Sequence, residues 1–296
     1  MFDEFKNAFQ RHNNAHVQLI IINVIVFVVM GILMVVSEIG GFQSFYEILH
    51  EQFAIPSQFG TFTSHPWTLI TYAFAHAGFS HILFNMLALY WFGSLFVEYL
   101  GSDKLIAVYF LGALSGGLLY LLAYNTVPYF VEQSNANAIS MVGASAAVNA
   151  IIVAAATLLP EYTFVLLLIG PVKIKYIAAV TVFLSFLGTV GGNAGGNIAH
   201  LGGALIGFVY IKQLQSGVNW GSWISATISW CKNLFIAQPK VKVTYRNKET
   251  STPKKSFTKS SVSQDEIDII LDKISDGGYE SLTKDEKEKL FNASKK

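Results

Sequence analysis

A serine and an asparagine one helical turn apart, Ser145 and Asn149, interrupt the apolar stretch from Met141 to Pro160, where a lipid-facing helix would carry leucine. A polar group in hydrocarbon is costly unless it is paired or lines a water-filled cavity. A membrane serine can bond its own helix's backbone and help it pack. Beside a histidine base, the same hydroxyl becomes a nucleophile. Other apolar stretches supply the remaining candidates: His200, a base within reach of such a serine, and His81 with Asn85, one turn apart and suited to donate hydrogen bonds to a developing oxyanion.

These residues sit in a chain of 296 residues that is 52% hydrophobic and only 13% charged, too apolar for a soluble domain of this size. The formal net charge of +1 is uninformative, but the placement of charge is not. A single cysteine, Cys231, excludes an internal disulfide and a cysteine-type zinc site. Nothing points to nucleic acid, and no cofactor is expected.

The elements that must position the polar residues follow in order. Residues 1–16 are polar, and Val17 to Val36 is an unbroken apolar run, too long for a signal-peptide core, so a first span is expected there. Ser37 to Ser80 holds no Lys or Arg. Within it Phe42, Phe45, Tyr46, Leu49 and Phe53 recur at helical spacing and predict an amphipathic helix in the membrane interface. Ile82 to Leu100 is span two. Leu105 to Tyr124 is span three, with Gly112 and Gly116 spaced for close helix approach. Thr126 to Ser140 reads as a short polar loop, and Met141 to Pro160 as span four. Tyr162 to Ile169, bounded by Pro160, Gly170 and Pro171, is too short to cross and reads as a loop dipping into the interface. Tyr176 to Val190 is span five, Gly191 to Gly196 a glycine-rich turn, and Asn197 to Leu214 span six. Residues 1–216 thus form a six-span core. Residues 217–238, with Trp220, Trp223, Ile224, Ile228, Cys231, Leu234 and Phe235 on one face, form an interfacial amphipathic helix. Residues 239–260 form a polar linker, and 261–296 a small helical hairpin. Its helix starts carry the capping-box pattern at Ser263 with Glu266 and at Thr283 with Glu286.

Orientation follows from the basic residues. Lys6 and Arg11 precede span one, Lys104 lies between spans two and three, Lys173 and Lys175 lie between four and five, and fifteen lie from Lys212 onward. The loops after spans one, three and five have none. Both termini are therefore expected in the cytoplasm, in a multi-pass protein of the plasma membrane. Spans two, four and six then run inward, which puts His81, Asn85, Ser145 and His200 at one depth near the external face. Small residues recur every fourth position at Ala146, Ala150 and Ala154 and at Ala199, Gly203 and Gly207, so spans four and six can pack closely. If those stripes face each other, Ser145 and His200 flank the same side of the seam. A metal set of His76, His81 and His200 is disfavoured, because the spacing of the first two does not share a helical face and no carboxylate lies at that depth. A transporter is disfavoured by the lack of an ionisable residue at mid-membrane.

The stretches HAGFSHILFN (His76 to Asn85), GASA (Gly143 to Ala146) and AHLGGALIG (Ala199 to Gly207) resemble, in order and on spans two, four and six, the signatures of the rhomboid intramembrane serine proteases. The resemblance covers about residues 15–215. It implies an all-α six-helix bundle with Ser145 as nucleophile and His200 as its base, without a third acidic member. His81, Asn85 and the Ser145 backbone N–H would form the oxyanion hole. Substrates would be transmembrane proteins in the bilayer, cleaved near the outer surface. Three positions depart from the family pattern: Ala146 stands where glycine is usual, Asn149 where an aromatic often stacks under the histidine, and Thr68 where many members carry arginine in the first loop. A non-catalytic rhomboid-like protein that binds transmembrane helices is the alternative, although such relatives commonly lack the serine or the histidine.

Overall fold

The computed structural model describes residues 13–137, 139–166, 169–235 and 264–294. The chain divides into two compact units, Met1–Gln238 and Pro239–Lys296. The first begins with α1, Ala15–Gly40, closed by Gly41 in the left-handed region at φ 71°. Asn23 inside α1 is buried and donates to Leu19 O at 2.8 Å and to the Tyr109 hydroxyl at 3.1 Å. The following loop folds into α2, Gln43–Glu51, a two-residue strand β1, Ile55–Pro56, α3, Phe59–Ser64, α4, Thr68–Thr71, and a 3-10 turn, Tyr72–Phe74. No residue of α2 is fully buried within the protein, and Phe45 and Ile48 stay exposed.

Next come α5, Phe79–Leu100, and α6, Ser102–Thr126. The stretch expected as a short polar loop contains a helix, α7, Pro128–Ala136, whose start carries proline at a position where the missing N–H costs nothing. Strand β2, Ser140–Met141, pairs antiparallel with β1, Ile55 opposite Met141. The fourth apolar stretch is helical only from Ser145 to Leu158 (α8), because its first residues are spent on β2 and on Gly143, whose φ is 143°. The stretch read as a dipping loop is an antiparallel hairpin of β3, Thr163–Leu166, and β4, Gly170–Lys173. Beside it Glu161 accepts from Lys173 and Lys175, which together hold its carboxyl down to about 2. Helix α9, Ile174–Leu187, a 3-10 turn, Gly188–Val190, α10, Ala194–Gln215, and α11, Ser222–Phe235, complete the unit.

Helices α1, α5, α6 and α10 are long and apolar enough to cross a membrane, and α8 and α9 are shorter apolar helices. The chain is a polytopic all-α membrane protein, with two small strand pairs as its only sheet among the described residues. Helix α8 sits at the centre: ten of its fourteen residues are buried, and it packs against α10, α6, α5 and α9. At about 1.5 Å per residue it spans about 21 Å, short of a hydrocarbon core of roughly 30 Å.

In the second unit α12, Gln264–Gly277, a 3-10 turn, Tyr279–Ser281, and α13, Lys284–Ala293, form a hairpin with Ile270 and Leu282 buried. Thr283 and Glu286 make the reciprocal capping box, whereas Ser263 lies outside the described residues. The 239–260 stretch lies outside them too.

Candidate active site

The site is built on a three-helix seam with almost no side chains. A Cβ added to Gly203 or Gly207 of α10 would lie 2.0 Å from Ala146 O and 2.2 Å from Ala150 O of α8. On α6, a Cβ on Gly116 would meet Ala146 Cβ at 2.6 Å and one on Gly112 would meet Ala150 Cβ at 2.5 Å. Backbones this close fix the rotation and register of each helix, since in lipid such packing supplies what apolar burial cannot. Next to the seam His200 Nε2 lies 2.7 Å from Ser145 Oγ. A hydroxyl at that distance can hand its proton to a neutral imidazole.

Ser145 is the first residue of α8. Its preceding residue, Ala144, provides no side-chain cap, and Val148 is the first whose N–H turns back to Ala144 O. The N–H groups at the start of α8 are thus without helical partners, a set of donors beside the serine. What holds this uncapped start is the segment before it. Gly143 N–H donates to Tyr72 O at 2.9 Å, and the Tyr72 hydroxyl donates to Ala113 O on α6 at 2.7 Å. The neighbouring Ala73 O accepts from Tyr109, itself tied to Asn23 of α1. The Gly143 conformation is one that L side chains rarely adopt, and a Cβ there would lie 2.8 Å from Cε1 and Nε2 of His81 and 3.5 Å from Ser145 Oγ. The His81 ring therefore lies against the turn that precedes Ser145.

Asn85, one turn along α5 from His81, is buried, and its amide donates to His81 O at 2.9 Å. An amide carries two N–H groups, so one stays available for a bound oxygen. Asn149 repeats the pattern on α8: it is buried and donates to Ser145 O at 2.9 Å, so its role in the structure is to bond its own helix. His76 lies before α5, not on it, and its ring meets that of His81 edge-on at 5.0 Å. A cavity of about 450 Å³ opens beside His81, lined by Tyr120, Tyr124, Met141, Val142 and the Gly191–Gly196 turn. A larger one of about 560 Å³, between α2, α3 and α7, includes none of the residues above.

Two features escape the sequence reading. Ser185 of α9 is buried with its Oγ 3.2 Å from His200 Nδ1. The available signal was the spacing of Thr181, Ser185 and Thr189, polar at every fourth position of an apolar helix. The first loop is fastened by several polar groups. The Ser57 and Ser134 hydroxyls share a 2.7 Å hydrogen bond, and Asn125 donates to Ser57 O at 2.8 Å and accepts from Phe59 N–H at 3.1 Å. Thr68 itself is buried and donates to His65 O.

Fold and site together define a polytopic helical membrane protein with a serine and a histidine joined by a hydrogen bond at the mouth of a short central helix. Residues 63–216 match the Rhomboid domain, and the chain belongs to the rhomboid family. Residues 259–296 match a family of unknown function, DUF6576. The chain is 32% identical over 160 residues to RHOMBOID-like protein 12, mitochondrial, of Arabidopsis thaliana, covering 51% of this chain and 47% of that protein. It is 30% identical over 159 residues to Presenilin-associated rhomboid-like protein A, mitochondrial, of Danio rerio, covering 51% and 39%. Rhomboid-like protein 15 of Arabidopsis thaliana is 29% identical over 223 residues, 73% of this chain and 52% of that one. The chain spans about half the length, or less, of these curated relatives.

Proposed function

We propose that this protein is an intramembrane serine endopeptidase that cleaves transmembrane proteins through Ser145 and His200. The observation that carries the reading is the 2.7 Å contact between Ser145 Oγ and His200 Nε2 beside unpaired helix-start donors. Ser145 Oγ attacks a peptide carbonyl as Nε2 takes its proton. The tetrahedral oxyanion accepts from the Ser145 N–H, from the second N–H of Asn85 and from His81. Its collapse expels the amine, which receives the proton from His200, and water, deprotonated by the same ring, hydrolyses the acyl-enzyme.

The absence of Lys and Arg from the loops after spans one, three and five supports cytoplasmic termini and a site opening to the external side. The proposed location is the plasma membrane. Two relatives carry mitochondrial names, so cell fractionation is the direct check on compartment.

The test is fluorophosphonate labelling and cleavage of a transmembrane reporter by the purified protein in liposomes. Wild type should label and cleave, and Ser145→Ala and His200→Ala should do neither above a trace while still folding. Asn85→Ala should lower turnover by about 10- to 1,000-fold with substrate binding little changed. A wild type that binds a transmembrane helix yet neither labels nor cleaves would establish the alternative, a rhomboid-like protein that binds helices without cutting them.

A further inference from the structure

We infer that Ser185 is a positioning residue that fixes the tautomer of His200, holding the ring proton on Nδ1 so that Nε2 is the free base facing Ser145. Among the described residues the ring nitrogens of His200 bond to two hydroxyls, Ser145 Oγ at 2.7 Å and Ser185 Oγ at 3.2 Å. Which nitrogen holds the proton follows from counting hydrogens. A serine hydroxyl has one hydrogen and otherwise accepts. Ser185 Oγ lies 2.9 Å from Thr181 O, a carbonyl that can only accept, so its hydrogen is committed there. Toward His200 it then presents a lone pair, and Nδ1 must be the donor. A neutral imidazole with its proton on Nδ1 leaves Nε2 unprotonated, and Ser145 donates to it.

The opposite arrangement would turn the Ser185 hydrogen to Nδ1, place a proton on Nε2 and aim it at Ser145 Oγ. A serine so contacted cannot give up its own proton to that ring. The structure favours the first arrangement on two counts. The bond to Thr181 O is shorter than the contact to Nδ1. It also repeats what other hydroxyls on the apolar helices do: Ser37, Thr126, Thr157 and Thr181 each donate to the carbonyl four residues back. Ser185 thus occupies the place an acidic residue would hold against a catalytic histidine. A neutral hydroxyl there orients the ring and selects its tautomer, but it does little to stabilise the imidazolium charge. The contact also ties the outer part of α9, whose buried residues are Ile174, Ala178 and Ser185, to His200 on α10.

The consequence for rate rests on the protease reading, but the tautomer does not, and the experiment separates them. The full chain, with ¹⁵N-labelled histidine in lipid nanodiscs, is examined by long-range ¹H–¹⁵N correlation, with the His200 signal assigned by its loss in His200→Ala. Wild type should show the proton on Nδ1, Ser185→Thr should keep it there, and Ser185→Ala should move the population toward Nε2. On the reporter, Ser185→Ala should lower kcat by about tenfold at nearly constant KM, as loss of the correct ring form predicts, and Ser185→Thr should restore it to within about threefold. A wild-type proton on Nε2, or a Ser185→Ala variant with unchanged tautomer and kcat, overturns the proposal. If Ser185→Ala does not fold, the wild-type spectrum still decides. A tautomer shift in a protein that cleaves nothing would uphold the role of Ser185 and sink the protease reading alone.

Discussion

Helix α8 and helix α13 begin in opposite ways. At α13 the Glu286 carboxylate accepts from the Thr283 N–H at 2.7 Å, and the Glu286 N–H returns to Thr283 Oγ1 at 3.4 Å. That reciprocal cap satisfies donors a helix start would otherwise leave to solvent. At α8 the residue in the capping position is Ala144, buried and with nothing to offer. The first helix end is closed by its own sequence, TKDE, and the second, in GASA, is left open and held from outside by Tyr72, β1 and the ring of His81. The difference separates two uses of one backbone feature. Pairing the donors stabilises a helix locally, by about 1 kcal/mol. Leaving them free keeps them for a ligand oxygen, and the surrounding fold must then supply the stability that the cap would have given.

Paired substitutions can break or sharpen that contrast. The largest effect is expected for Gly143→Ala, where a Cβ meets the His81 ring and the backbone conformation is unfavourable. Displacing the start of α8 by about 1 Å should lower fluorophosphonate labelling of Ser145 about 100-fold. Labelling at the wild-type rate would show that α8 does not depend on that turn. The matching change, Gly278→Ala, is also at positive φ, 73°, but in open space. It should cost the terminal hairpin about 1–3 kcal/mol of backbone strain, read by hydrogen exchange, and leave labelling unchanged. Thr283→Ala should loosen the first turn of α13 by about 1 kcal/mol in the same measurement, while Ala144→Ser at the α8 start should bring no such gain.

The smallest effect is one of pH. Donation from the Thr283 backbone and from Lys273 lowers the Glu286 carboxyl from 4.5 to about 2. A lowered acid contributes stability that is complete above the unfolded value and is lost as pH falls through the folded one. Protection of α13 should therefore hold above about pH 5 and decline toward pH 2, and Glu286→Gln should flatten that decline. An unchanged decline in Glu286→Gln would mean that another acid governs it.

Much of this was readable from residue types because the constraints are steric. Gly112, Gly116, Gly203 and Gly207 announce close helix contacts, and Ala146 and Ala150 supply the opposite surface. Once the stripes face each other, Ser145 and His200 have little freedom to lie elsewhere. The segments before and after α8 were less legible. Met141 and Val142 are apolar enough to continue a membrane helix, and only pairing with Ile55, far away in sequence, makes that stretch extended. In the same way Thr163 to Leu166 reads as part of an apolar run until β4 aligns with it. Pro128 stands at the start of α7, but the run from Glu132 to Asn135 makes that stretch read as a polar loop. Ser185 escaped notice because a lone serine in an apolar helix ordinarily satisfies itself, and its second partner comes from another helix.

The glycines of α10 carry one more consequence. Where a Cβ on Gly203 or Gly207 would point, the glycine has a Cα hydrogen, and it is aimed at the carbonyl oxygen of Ala146 or Ala150. Each such contact has the makings of a weak Cα–H···O bond, worth about 0.5–1 kcal/mol. Two in succession, four residues apart, act as a ratchet with a one-turn step: sliding α10 along α8 by less than a turn would break both at once. His200 lies three residues before Gly203, and Ser145 one before Ala146. The spacing of the reactive pair is thus set by backbone carbonyls and hydrogens, with no side chain of the seam in between.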